Sequence, residues 1–211
     1  MFLTRTGLKK LMERSVKGGG LHVRNDGKGY SICGASWAVY FFKGEIPKET
    51  LGDLISLVGE LPGDEESYTA DKGGNQINIY DPDAYTAMDI ATSVKIPMAK
   101  TPVVIEHGPY FLRVYQNMKS GQATVINEKL VGIVDPELID SRNGEELPEG
   151  PFEGGGLVEN TFFNAICWYN NRMAFSVARI NLNGDHTEDL VKKIEQYTLW
   201  DESEEEDGGG Q

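Results

Sequence analysis

Catalytic hardware is scarce in this sequence. There are three histidines, His22, His107 and His186, and none stands near a serine or cysteine in a nucleophile context. The GxSxG, HExxH, GxxxxGKS/T and GxGxxG patterns are all missing, which removes the common signatures of hydrolases, zinc peptidases and phosphate-cradling loops. Only two cysteines occur, Cys33 and Cys167, each inside an apolar strand-like run. Without a CxxC pair or a zinc-type Cys/His spacing, both read as buried free thiols in a reducing cytoplasm. No apolar run approaches the roughly 20 residues that cross a bilayer. The opening residues also lack the apolar centre of a secretory signal, so the expected location is cytoplasmic. Positive charge is short as well. Twenty Lys and Arg stand against 33 Asp and Glu, for a net charge of -13. Six of those negative charges lie in 201–207 (DESEEED), leaving -7 upstream. Such a balance excludes a protein whose whole surface grips phosphates. It leaves room for one local basic patch, and it also suits a protein that binds basic partners or mimics the charge of DNA.

What is present is the composition of a globular protein, 39% hydrophobic and 25% charged over 211 residues. The best-specified stretch is 164–181, NAICWYNNRMAFSVARIN. It reads as a β-hairpin turning over 169–172, where Asn170 and Asn171 tolerate the positive φ of a tight turn. In its second arm Phe175 and Val177 alternate with Ala174, Ser176 and Ala178. One face is large and the other small. A helix is expected over the small face.

Taken in order, residues 1–46 read β-α-β-β. A short strand at Phe2 and Leu3 precedes a helix over 7–17 with an apolar stripe of Leu8, Leu11, Met12 and Val16. Strands are expected at 21–24 and, in one long run, at 30–42. A second helix over 46–61 carries Leu51, Leu54, Ile55 and Val58 on one face. A polar loop at 62–76, a strand at 77–80 and a third helix capped by Asp81 and ending near 94 come next. Pro97 and Pro102 are expected to break the chain. Then come a hairpin around 106–109, a strand at 123–126, a short helix capped by Asn127, and a mobile acidic loop at 141–156. The last helix is expected over 187–200 with Leu190, Val191, Ile194 and Tyr197 inward. The acidic tail 201–211 has nothing apolar to bury and is expected to be disordered.

Four candidate features remain. The first helix carries Lys9, Lys10, Arg14 and Lys17, the one nucleic-acid signal in the chain; the bland reading is a solvated amphipathic face. Asp81 with Asp83, and Asp135 with Glu137, have metal-ligand spacing but flank prolines, where caps or turns suit them better. No metal, cofactor or catalytic residue is assigned. The glycine runs 18–20, 73–74 and 154–156 read as linkers and helix stops. Trp200 stands beside Asp201, Glu202, Glu204 and Glu205. That set either anchors a partner, or Trp200 staples the helix end to the body.

The stretch TVINEKLVGIVDPELID, followed by a polar loop and then NAICWYNNRMAFSVARIN, resembles the end of phage-encoded proteins of sliding-clamp-like organisation. The β-α-β-β order of 1–42 is similar too. The resemblance implies an acidic protein with basic helices lining a ring, a place that Lys9, Lys10, Arg14 and Lys17 would fill. The expected fold is α+β, a mainly antiparallel sheet with helices packed on one face. Residues 1–200 would form one compact domain, with possible subdivision near 96–102 into two similar clamp-like subdomains. The function expected first is a non-enzymatic phage or mobile-element interaction protein, clamp-like and DNA-associated, able to form a homo-oligomer with DNA or a protein as partner. The alternatives are an acidic inhibitor or DNA mimic occupying a basic partner surface, and an enzyme with an unrecognised site.

Overall fold

The computed structural model describes all residues except 85, 94, 159, 160, 183, 185 and 201–211. Among the described residues, eleven strands join into a single antiparallel sheet. The chain enters through a bridge between Leu3 and Val134, then α1 (Arg5–Gly18), β1 (Leu21–Asn25), β2 (Gly29–Cys33), β3 (Trp37–Phe42), α2 (Lys48–Val58), β4 (Glu66–Asp71) and β5 (Gly74–Ile77). It continues through α3 (Ala87–Ser93), β6 (Ile96–His107), β7 (Tyr110–Asn117), β8 (Ala123–Asn127) and α4 (Glu128–Val131). It finishes with β9 (Glu149–Val158), β10 (Thr161–Tyr169), β11 (Met173–Ala178) and α5 (His186–Ile194). The strand order is β5-β4-β1-β2-β3-β11-β10-β9-β6-β7-β8.

The hairpin read from the sequence is β10–β11, paired from Ala165 with Ala178 to Tyr169 with Ala174. Its turn works differently from the expectation. Among described non-glycine residues only Glu65 has a positive φ, so neither asparagine supplies one. Instead the Asn170 side-chain oxygen accepts the backbone N–H groups of Arg172 and Met173 at 3.0 and 3.1 Å, a turn closed by a side chain.

The large and small faces are both used. Met173, Phe175 and Val177 pack with Trp37, Val39, Phe41, Ile166 and Trp168 in the main core, under α1, α2 and α4. On the other face Ala174, Ala165 and Cys167 meet Ala87, Ile90 and Ala91 of α3. The helix expected over the small residues is therefore α3. It comes so close that a Cβ added at Gly154 would lie 2.4 Å from the Ile90 carbonyl oxygen. Gly154 is thus a packing residue in β9, not part of a linker. Val191 of α5 covers Leu112, Val114 and Val125 on that same outer face. Helices accordingly occupy both faces of the sheet, which extends the one-face expectation.

Other boundaries shift for identifiable reasons. The long run 30–42 folds back at 34–36 into β2 and β3. Gly34 permits this turn, since a Cβ there would clash with the Trp37 indole and Ser15. The loops expected at 62–76 and 141–156 contain β4 and most of both β5 and β9. Only Ile77 of the strand expected at 77–80 is in the sheet. Pro97 and Pro102 do not break the chain, because β6 absorbs Pro102 in an irregularity between Lys100 and Val104. Asp81 does not cap α3; Thr86 and Asp89 do so reciprocally through backbone N–H groups, at 2.7 and 3.2 Å. Asn127 caps α4 as expected, accepting from the Lys129 N–H. In α5 and beyond, Leu190 and Tyr197 are exposed rather than inward, and Ile55 of α2 is partly exposed as well.

The two ends of the sheet differ. The β8 edge meets the chain just after β11, where the Ile180 N–H donates to the Val125 carbonyl at 2.9 Å. At the β5 edge all four residues are exposed.

Candidate nucleic-acid interface

Helix α1 buries Leu8, Leu11 and Met12 and presents its cations on two separate sides. Arg5 and Lys9 turn toward α2, where both hydrogen-bond the Asp53 carboxylate, at 2.7 and 3.0 Å. The hydrogen bonds from Arg5 and then Lys9 hold the Asp53 carboxyl down at about 2. The same contact pushes the Arg5 guanidinium up. Lys9 is therefore engaged within the protein, and it does not join the free cations with which the sequence grouped it. The reason is its place on the wheel, one position round from the solvent face.

Lys10, Arg14 and Lys17 are exposed. Their i, i+4, i+7 spacing puts them in one stripe about 10 Å long. None has an ion-pair partner among the described residues. Glu13 is the single carboxylate on the helix. Lys17 sits in the last turn, where a cation also suits the negative end of the helix dipole.

The remaining candidates have local roles. The Asp81 carboxylate accepts the Asp83 N–H, closing a turn. Asp135 accepts the Glu137 N–H at the start of a short 3-10 helix. His107 pairs with the Thr187 hydroxyl. Burial pushes the Cys33 thiol up, and Cys167 up to about 12, so neither is a ready nucleophile. Among the described residues no cluster of His, Cys, Asp and Glu could hold a metal ion.

Trp200 is half-buried. The segment before it is fixed by buried Gln116 of β7, which donates to the Tyr197 carbonyl at 2.8 Å and accepts from the Leu199 N–H at 3.1 Å. Asp201, Glu202, Glu204 and Glu205 lie outside the described residues. The sequence reading missed Gln116, Asp53 and Arg24. Arg24 is 5% exposed and holds the 80–84 segment through the Ala84 and Pro82 carbonyls and the Tyr80 hydroxyl. The one available signal was a polar residue at a core position of a strand or helix.

No protein-family model matches the chain, and no curated protein matches it. Among solved structures the likeness is to polymerase beta subunits. A protein of Eubacterium rectale assigned as a DNA polymerase III beta subunit aligns at 8% identity and a TM-score of 0.33, over 90% of this chain and 67% of the other. The beta subunit from the DNA polymerase of Streptococcus pyogenes aligns at 11% identity and 0.34, over 89% and 66%. The DNA polymerase III beta chain of Streptococcus pneumoniae gives 8% and 0.32, over 88% and 65%. This chain thus spans about two thirds of the length of each.

Proposed function

We propose that this protein is a non-enzymatic, clamp-like interaction protein, of phage or mobile-element origin, that associates with DNA through Lys10, Arg14 and Lys17. The observation that carries the reading is the segregation of charge on α1. Arg5 and Lys9 share the Asp53 carboxylate, while three cations stay aligned and unpaired on a protein of net charge -13. A free stripe of this kind contacts phosphates without reading sequence. Binding would be weak and salt-sensitive, and a homo-oligomer would multiply it by bringing several stripes to one duplex.

Fluorescence anisotropy with a labelled duplex tests the reading. Three phosphate contacts give a slope of log K against log salt near about -2.7. The triple variant Lys10→Glu, Arg14→Glu, Lys17→Glu should abolish binding, while a control reversal at Lys72 on the β4–β5 turn should not. Equal binding by the triple variant would overturn the assignment.

A further inference from the structure

The basic stripe ends at a cleft of about 520 Å3 between the last turn of α1, the 34–36 turn and the start of β1. That volume falls within the range that accepts small organic groups. Leu11, Trp37 and Leu130 supply apolar wall, and Arg14 stands at the cleft as its one cation. Thr69 and Cys33 in the lining are engaged with Asn78 and Ser31, but four other polar groups lack side-chain partners. The side chains of Ser15, Ser36 and His22 and the Trp37 indole N–H make no hydrogen bond among the described residues. Together they offer one fixed donor, two hydroxyls able to donate or accept, and an imidazole.

The interior carries no charge. Burial, and then the neighbouring Arg24, push the His22 pKa below its usual value, so the ring is neutral and both donates and accepts. Burial keeps the Cys33 thiol protonated. The C-terminal turn of α1 lines the cleft through Gly18, and the negative end of the helix dipole makes the interior unfavourable for an anion. A phosphate therefore belongs outside, against Arg14 and Lys17. A neutral planar ring with donors and acceptors along its edge belongs inside.

We infer that the cleft accepts an unpaired nucleobase from a single strand whose phosphates run along Lys10, Arg14 and Lys17. The inference rests on the DNA reading above and adds a preference to it. Paired, stacked bases cannot enter without being flipped out, so single strands would bind more tightly than duplex. The site would also tolerate different bases, because a ring face against Trp37 and flexible hydroxyls select shape rather than sequence.

The test compares three probes on the full chain by anisotropy: a short single strand, an abasic strand of equal length, and a duplex. The base-bearing strand is expected to bind about tenfold more tightly than the abasic one. Ser36→Phe, at an exposed turn position, should fill the mouth and erase that difference while leaving duplex affinity unchanged. Shifts of the His22 ring protons in NMR on adding the base-bearing strand, and not the abasic strand, are expected without any variant. Equal affinity for the two strands would overturn the cleft assignment and leave the stripe standing. A preference that survives Ser36→Phe, with the His22 protons unmoved, would overturn it too. Absence of binding to all three probes would overturn stripe and cleft together.

Discussion

Gly154 and Phe175 belong to the same sheet, and what covers each face sets the size that each can have. The Ile90 carbonyl stands where a Gly154 Cβ would go. Gly154→Ala must therefore displace α3, at a cost of about 1–3 kcal/mol. Phe175, fully buried on the opposite face, should cost about 3–5 kcal/mol as Phe175→Ala. Urea denaturation of both variants checks the pair; a Gly154→Ala protein as stable as the parent would mean that α3 does not hold this approach. The two positions were not equally legible. Alternation of Phe175 and Val177 with Ala174 and Ser176 announces two faces and a helix over the small one. Gly154 sits in a polar glycine run, and glycine looks the same in a linker as under a helix. Asn170 was read correctly as a turn residue but for the wrong property, since its side-chain oxygen and not its φ closes the loop.

At the scale of elements, the amphipathic pattern of α1 was enough to locate the helix and its cations. Which cations stay free was not readable, because Asp53 lies 48 residues from Arg5 and 44 from Lys9 in sequence. Strands β4, β5 and β9 were missed for a related reason. β5 is wholly exposed and β9 is glycine-rich, so neither shows alternation; pairing with β1, β4 and β10 makes them strands. The Asp53 contact has a pH signature. Its carboxyl titrates near about 2 when folded against roughly 3.9 when unfolded. The stability it contributes is therefore present above the unfolded value and is lost as pH falls through the folded one. Asp53→Asn should lower the Tm at neutral pH by a few degrees, and the gap should close as pH falls toward 2. The same substitution releases Arg5 and Lys9 from their partner. DNA affinity should then rise while stability falls, a combination that simple unfolding would not give.

The whole molecule is acidic, with a small basic face, and its last acidic run adjoins a segment anchored by Gln116. Deleting 201–207 changes the net charge from -13 to -7. Association with DNA should become faster at low salt, and the difference should vanish as salt screens it; stopped-flow anisotropy at two ionic strengths reads this. A rate that does not change would show that the tail and the stripe do not share a field. The order of strands has a further consequence, in time rather than in space. β11 is formed late in the chain, yet it is the sixth of eleven strands, with β3 on one side and β10 on the other. During synthesis the first five strands of the sheet must wait, with the apolar edge of β3 uncovered, until residues 173–178 leave the ribosome. The two halves of the sheet become one only at that step. Such non-local closure slows folding, and an interrupted chain would expose two edges able to pair with neighbours.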